Sequence, residues 1–122
     1  MKRAILLIDH GSRRAEANAL LESVADQVRR RAPDSIVEIA HLEIADPDIF
    51  EGIDACVQKG ATQIVVHPYF LGPGRHTTEY IPAQVGRAGE RHPTVRIRIS
   101  EALGGHAALI DAILARVSDA DR

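Results

Sequence analysis

The chain has 122 residues, of which 45% are hydrophobic and 26% charged, with a formal net charge of −2 at pH 7. This balance argues against a nucleic-acid partner, since general nucleic-acid-binding proteins carry a basic excess. The single cysteine, Cys56, excludes an intramolecular disulfide and a cysteine-based zinc site. The apolar runs are too short for a signal peptide or a bilayer span, so we expect a cytoplasmic protein with no membrane partner.

The first half of the chain opens with a strand, a helix and a second strand. Residues 4–8 form a continuous apolar run, typical of a strand buried on both faces. A helix is predicted from about Arg14 to Arg31, where apolar residues recur at helical spacing before Pro33 ends it. The second strand, residues 36–43, mixes apolar and polar residues, so we expect it to be less buried.

A second helix and a third strand follow. The helix is predicted to begin near Asp46 and Pro47, an N-cap residue followed by proline in the first turn, and to end at Gly60. Residues 63–70, QIVVHPYF, form another nearly continuous apolar run. A third helix is predicted from Thr77 or Thr78 to about Gly89.

The last elements are a strand over residues 95–100 and a helix over about 106–118. The strand alternates apolar and basic residues, which is typical of a sheet edge. Strands separated by helices run parallel with right-handed crossovers. Because the first and third strands are the most apolar, we predict one α/β domain over residues 1–122 with a flavodoxin-like, four-stranded parallel sheet of order 2-1-3-4 and helices on both faces.

Three side chains are predicted to meet at the carboxyl edge of this sheet. His10 follows the first strand, Glu43 ends the second, and His76 lies in the loop after the third. Ligands of such sheets bind at this edge. Two histidines and a carboxylate suit Fe, Co, Ni or Zn with coordination positions left open. Either histidine alone is more often a cap or surface residue, so the prediction depends on their convergence.

The remaining histidines and the cysteine have simpler interpretations. We expect His41 to be a partly exposed edge-strand residue and His67 to be a hydrogen-bonded residue near the core. His92 and His106 flank the last strand and are interpreted as loop and cap residues. Cys56 falls on the apolar stripe of its helix, as a small core residue would.

The loops at this edge also favour an anionic organic ligand. Ser12 is a candidate cap of the first helix, beside Arg13 and Arg14, and Gly74 and Arg75 repeat the arrangement before the third helix. Helix N-termini and arginines together bind carboxylates or phosphates. Each arginine alone is more often a solvated surface charge. The glycine loop matches neither a P-loop nor a dinucleotide fingerprint.

The motifs HGSR at 10–13, HLE at 41–43 and PYFLGPGRH with IP at 68–82 resemble the short form of the CbiX/SirB-type sirohydrochlorin chelatases, which are class II chelatases. The resemblance spans nearly the whole chain. It implies a chelatase-like lobe that inserts Co²⁺ or Fe²⁺ into sirohydrochlorin, towards cobalamin or sirohaem. His10, His76 and Glu43 would be the metal-site and catalytic residues. The metal, with Ni²⁺ and Zn²⁺ as further candidates, would be a substrate and not a permanently bound cofactor. Single-lobe members pair as homodimers, so the resemblance also implies a homodimer.

Two positions depart from the family pattern. Asp9 replaces a small residue and adds a negative charge, or a further ligand, beside His10. Tyr80 stands where the family has aspartate, with Glu79 just before it. These departures motivate a second hypothesis, a non-catalytic metal- or tetrapyrrole-binding protein. A receiver-like signalling module is set aside, because a fifth strand with lysine and the acidic cluster are missing from the sequence.

Overall fold

The computed structural model describes residues 2–72, 74 and 79–122. This part of the chain forms a four-stranded sheet in the order β2-β1-β3-β4, in which every strand pair is parallel. The elements are β1 (Arg3–Asp9), α1 (Ala15–Arg31), β2 (Ile36–His41), α2 (Ile49–Gln58), β3 (Gln63–Pro68), α3 (Ile81–Gly89), β4 (Arg96–Ile99) and α4 (Ala107–Ala120). The predicted fold class and strand order are confirmed.

The two most apolar strands, β1 and β3, lie at the centre of the sheet, where each is flanked by a strand on both sides. β1 pairs with β2 from Ala4↔Ile36 to Asp9↔His41, and with β3 from Arg3↔Gln63 to Ile8↔Pro68. Successive side chains of a strand point to opposite faces. The apolar run of β1 therefore contributes to two separate cores.

The larger core lies between the sheet and helices α2 and α3. Its members are apolar residues that are buried from solvent: Ala4, Leu6, Ile8, Ala40, Leu42, Ile49, Ile53, Cys56, Ala61, Ile64, Val66, Ile81, Val85 and Ala88. The members from α2 and α3 recur at helical spacing, so each helix turns one apolar face towards the sheet.

The smaller core lies under α1 on the opposite face. It consists of Leu7, Leu21, Ala25, Val37 and Ile39. The C-terminal helix α4 adds nothing to it, since α4 lies wholly within the described residues and none of its side chains is buried. α4 carries apolar residues at helical spacing, but this chain buries none of them.

Two predicted boundaries are wrong in instructive ways. β2 ends at His41 and not at Glu43, and it is largely buried. The second helix begins at Ile49 with Asp48, not Asp46, as its N-cap. The Asp48 carboxylate accepts the Glu51 backbone N–H at 2.8 Å, and the Glu51 side chain accepts the Asp48 N–H at 3.0 Å. This reciprocal capping box fixes the start of the helix.

The third helix begins near the predicted position. Its α-helical part covers Ile81–Gly89, with Ile81 and Pro82 in the first turn, and Glu79 and Tyr80 precede it as a π-helical turn. Thr77 and Thr78 lie outside the described residues. None of the helices in the described ranges combines the length and the apolar character needed to cross a bilayer.

Candidate active site

His10 and Glu43 meet at the carboxyl edge of the sheet, as the sequence predicts. The backbone pairing of β1 and β2 continues past both strand ends, because Leu42 N–H donates to the Asp9 carbonyl at 2.8 Å and Glu43 N–H donates to the His10 carbonyl at 3.1 Å. The His10 Nε2 atom lies 3.1 Å from Glu43 Oε1, and the two side chains are 42% and 52% exposed. An imidazole and a carboxylate thus stand together and accessible.

Gly11 allows this close approach of the two strand ends. Its φ is +93°, and a Cβ atom at this position would lie 1.9 Å from the Glu43 carbonyl oxygen. Any side chain would therefore clash with the backbone of Glu43, and a residue with a Cβ atom would also be strained in this left-handed conformation. The glycine of the HGSR motif is required to bring the His10 loop across the end of β2.

A strained turn follows Glu43. Ile44 has φ +76°, and the Ala45 N–H donates to the Glu43 carbonyl at 2.9 Å, which closes a three-residue turn. This region is unfavourable for a β-branched residue. The Ile44 side chain is also exposed to solvent. Sequence reasoning missed this turn, because an isoleucine gives no signal of positive φ.

Asp9 and His41 form a second pair at the last paired position of β1 and β2. His41 Nδ1 lies 2.5 Å from Asp9 Oδ1, and His41 is 2% exposed. The prediction that His41 is partly exposed is therefore wrong, and the Asp9 carboxylate contacts a buried imidazole. The signal available in the sequence was that two polar residues end adjacent strands, in positions that parallel pairing places side by side.

The loop from Gly11 to Arg14 is held by hydrogen bonds that Ser12 makes within the loop and with Asn18 of α1. Ser12 is not the N-cap of α1; that position belongs to Arg14, whose backbone N–H donates to the Ser12 hydroxyl at 3.0 Å. Asn18 accepts the Ser12 N–H at 2.9 Å and donates to the Ser12 carbonyl at 2.7 Å. Arg13 and Arg14 are exposed. Their role in anion binding stays a prediction.

The segment after β3 forms the neighbouring part of the edge. The Leu103 N–H donates to the Phe70 carbonyl at 3.0 Å, and a Cβ atom on Gly104 would lie 1.9 Å from the Leu71 carbonyl oxygen. The chain that follows β4 therefore lies against the start of this loop, with Leu71 exposed. Glycine at 104 is needed for that contact.

Part of the predicted site lies outside the described residues. This applies to His76 and Arg75, whereas Gly74 is described and exposed. Over residues 2–72, 74 and 79–122, no three His, Cys, Asp or Glu side chains are grouped so that they could hold a metal ion. The structure thus brings together two of the three predicted metal-site residues, and the contribution of His76 stays a prediction.

The other histidines have the structural roles expected of them. His67 Nδ1 lies 2.7 Å from the Ser100 hydroxyl, and burial lowers the pKa of His67. The His106 side chain caps α4 by accepting the Ala108 N–H at 3.0 Å. His92 Nε2 lies 2.7 Å from Asp54 Oδ1, far along the chain from the His10 loop.

Cys56 is a core residue, as predicted. It is fully buried in α2, and burial, reinforced by the negative charge of Glu38, raises the pKa of its thiol to about 12. A thiol with so high a pKa is a poor nucleophile and a poor metal ligand at neutral pH. Cys56 therefore takes no part in the chemistry of the site.

The His10–Glu43 pair has the chemistry of half of an open metal site. Neutral imidazole nitrogen and carboxylate oxygen are ligands for first-row divalent metals, and an exposed pair leaves coordination positions for a third ligand and for substrate. An imidazole or a carboxylate that is not bound to metal can also act as a general base towards a substrate proton within hydrogen-bonding reach. The edge of the sheet can thus hold a divalent ion and receive protons from a molecule placed above it.

Comparison with known families gives a match over nearly the full chain. The model of the CbiX family matches residues 4–120. A sirohydrochlorin ferrochelatase from the chloroplast of Arabidopsis thaliana is 39% identical over 113 residues, which cover 93% of this chain and 50% of that protein. A sirohydrochlorin ferrochelatase from Bacillus subtilis is 34% identical over 119 residues, covering 98% and 46%.

Solved structures show the same fold. The cobalt complex of the sirohydrochlorin chelatase SirB from Bacillus subtilis subspecies spizizenii has a TM-score of 0.90 and 34% identity, covering 98% of this chain and 51% of that one. A putative cobalamin biosynthesis CbiX protein from Marinobacter aquaeolei has a TM-score of 0.82 and 30% identity, covering 96% and 95%. The chain spans about half the length of the two ferrochelatases and nearly all of the Marinobacter protein.

Proposed function

The chain belongs to the CbiX family, and on this premise we propose that it is a divalent-metal chelatase that inserts Co²⁺ or Fe²⁺ into sirohydrochlorin. The observation that supports this most directly is the accessible contact between His10 Nε2 and Glu43 Oε1 at the carboxyl edge of the sheet. It pairs a metal-binding imidazole with a carboxylate where parallel α/β sheets bind their ligands.

The residues have complementary tasks in this reaction. An incoming divalent ion must lose water, and the macrocycle must lose two pyrrole protons. His10 and Glu43, with His76 as the proposed third ligand, hold the ion over the ring. As the ion passes to the ring, the side chains that it leaves and the surrounding water take up the two protons. General bases of this kind contribute about 10²–10⁴-fold to the rate. Because the metal is a substrate, an exposed and open site releases it more readily than a closed four-ligand cage.

The charge at this edge suits the rest of the substrate. Sirohydrochlorin carries many carboxylates, and Arg13 and Arg14 stand exposed at the N-terminal end of α1. A helix N-terminus and arginine side chains both stabilise carboxylates. We propose Ser12, Arg13 and Arg14 as one anchor for these groups, and Gly74 and Arg75 as the other.

The metal and the pathway are narrower proposals. Relatives are named for iron or cobalt: the ferrochelatases above, and a sirohydrochlorin cobaltochelatase of Priestia megaterium that is 32% identical. We propose Co²⁺ and Fe²⁺ as physiological substrates, Ni²⁺ and Zn²⁺ as surrogates, a role in cobalamin or sirohaem formation, and a cytoplasmic location.

The test is metal insertion by the purified protein under anaerobic conditions. Sirohydrochlorin is mixed with Co²⁺ or Fe²⁺, and the visible spectrum follows the formation of the metal complex. We expect acceleration over the uncatalysed rate, a loss of at least about 100-fold in kcat for His10→Ala and His76→Ala, and wild-type rates for the control His92→Ala. The absence of acceleration with either metal would refute the proposal. A stable complex with sirohydrochlorin that never turns over would instead identify a binding protein.

We also propose that a second copy of this chain covers the apolar side of α4. This α4 face consists of Ile110, Ile113, Leu114 and Val117, which are 47%, 50%, 63% and 57% exposed. A groove of about 490 Å³ lies between α1 and α4, where Leu20, Val24, Val28 and Tyr69 line one side and Arg116 the other. Clustered exposed apolar residues of this kind are typical of an interaction site.

The length of the relatives favours a second copy as the partner. This chain matches about half of the two ferrochelatases, whereas the Marinobacter protein has one lobe of matching length. We propose that the half of each ferrochelatase that this chain does not match is replaced here by a second copy of the chain. The α4 face is where such a lobe would be buried here.

Sedimentation equilibrium of the whole chain tests this partner. We expect a dimer at micromolar concentration that Ile113→Lys dissociates, because a lysine in the centre of an apolar interface is left desolvated and unpaired. The matched control is Ala83→Lys, which adds the same charge to an exposed position of α3. A monomeric wild type at high concentration, or equal dissociation by both variants, would contradict the proposal.

A further inference from the structure

We propose that Asp9 and His41 form a positioning pair that sets the geometry of His10 and Glu43; this inference rests on the metal site of the proposed function. In the described part of the chain, His41 is the only polar or charged residue that is buried. Its imidazole contacts the Asp9 carboxylate at 2.5 Å. This buried polar side chain is thus placed next to the candidate site.

The two pairs lie close together where β1 and β2 end. Asp9↔His41 is the last paired position of the two strands, and two backbone contacts follow it, from Leu42 N–H to the Asp9 carbonyl and from Glu43 N–H to the His10 carbonyl. The side-chain contact between Asp9 and His41 therefore joins the two chain segments one residue before His10 and two residues before Glu43. Any shift of one strand end against the other changes the separation of His10 and Glu43.

The surroundings of His41 leave it little freedom. Its backbone N–H donates to the Pro47 carbonyl at 2.7 Å, which joins β2 to the segment before α2. On the other side, a Cβ on Gly11 would lie 3.2 Å from the His41 Cβ, so the His10 loop lies directly against this residue. His41 thus connects the strand pair, the loop that carries His10 and the segment before α2.

Folding alone does not require a polar pair here. Taking an imidazole and a carboxylate out of water is costly, and replacing a buried pair with apolar residues of similar size is often neutral or stabilising. An apolar contact, however, tolerates sliding, whereas a hydrogen bond between a ring nitrogen and a carboxylate oxygen has a defined distance and direction. Such a contact fixes the relative position of the two strand ends. This matters for catalysis, because a displacement of about 1 Å at a reacting centre costs about 100-fold in rate.

Two kinds of variant separate positioning from stability. The double variant Asp9→Leu/His41→Leu replaces the polar pair with apolar side chains that fill the same space. The variant should therefore fold, but it lacks the directional contact. Asp9→Asn and His41→Asn keep a hydrogen-bonding atom where the Asp9 oxygen and the His41 Nδ1 stand. Asp54→Leu/His92→Leu is the matched control, because it removes a histidine–carboxylate contact of 2.7 Å at another place on the molecule.

Each variant is measured for Co²⁺ affinity by calorimetry without tetrapyrrole, for kcat and KM of insertion, and for thermal stability. We expect the Asp9→Leu/His41→Leu variant to be folded, with Co²⁺ affinity and kcat reduced about 10–100-fold, the range seen when outer contacts of metal ligands are removed. The asparagine variants should recover most of this loss, and the control should show none.

Three results would overturn the inference: wild-type Co²⁺ affinity in the double leucine variant, asparagine variants no better than leucine, or a loss that only follows the fall in thermal stability. The Co²⁺ titration keeps this test separate from the proposed function. If the wild type binds Co²⁺ through His10 but never inserts it, chelatase activity is refuted while the affinities still decide whether the pair positions the site. A wild type that binds no Co²⁺ refutes both.

Discussion

Helices α2 and α3 close one face of the sheet, whereas α1 and α4 leave the other face partly open. On the closed face, Ile49, Ile53, Cys56 and Ile81 are completely buried. On the open face, α1 buries Leu21 and Ala25, and α4, described over its whole length, buries none of its residues. Yet both α2 and α4 carry apolar residues at helical spacing.

This difference shows that the same sequence pattern serves two purposes in one lobe. The closed face supplies the stability of the monomer, because burial there is complete and transfer of apolar surface from water is the main favourable term in folding. The open face retains exposed apolar surface on α4, which is the surface that we propose a second copy covers. The candidate site lies at the carboxyl edge of the sheet, where both faces end.

The sharpest test of this contrast is the same substitution on each face. Ile53→Ala on the closed face should reduce the free energy of unfolding by about 2–5 kcal/mol, since it leaves a cavity in a packed core. Ile113→Ala on α4 should change it by about 0.5 kcal/mol or less in the monomer, as surface substitutions do. Urea unfolding at protein concentrations below dimerisation measures both. Equal losses would show that α4 belongs to the monomer core.

The buried thiol of the closed face gives a second, smaller effect. The pKa of Cys56 is raised from 9.0 to about 12, so the native state keeps its thiol proton longer than the unfolded state does. The resulting stability is present below pH 9 and is lost as the pH rises towards 12, with a slope of at most about 1.4 kcal/mol per pH unit. Comparing the urea unfolding of wild type and Cys56→Ala between pH 8 and 10.5 isolates the part of the pH dependence of stability that comes from this thiol. Rapid labelling of the native thiol at pH 8 would contradict it.

The smallest expected effect comes from His67 on the open face. His67 pairs with Leu7 of the smaller core, and burial lowers its pKa from 6.5. The unfolded state then binds the proton more readily, so this residue's contribution to stability is present above pH 6.5 and is lost as the pH falls. Because His67 is only half-buried, the loss should be modest. His67→Gln should flatten the fall in melting temperature between pH 7 and 5, and an unchanged slope would contradict the assignment.

The sequence was sufficient for the architecture and for two site residues, and insufficient for the contacts around them. Parallel strands joined by helices place all carboxyl ends on one edge, so the sequence alone predicts that His10 and Glu43 meet there. The start of α2 was less predictable. Asp46 and Asp48 are both good N-cap residues. Asp48 is the N-cap in the structure because the backbone there allows the reciprocal contact with Glu51.

Local patterns determined the elements of this protein, because periodicity and breakers act through neighbours along the chain. Tertiary structure alone decided which polar groups meet and which apolar stripe stays uncovered. The Asp9–His41 contact depends on the strand register between residues 32 positions apart. The positive φ of Ile44 depends on the turn between the end of β2 and the start of α2. The exposure of α4 depends on what packs against it, and amphipathic spacing shows that a helix has an apolar face without identifying the surface that covers it.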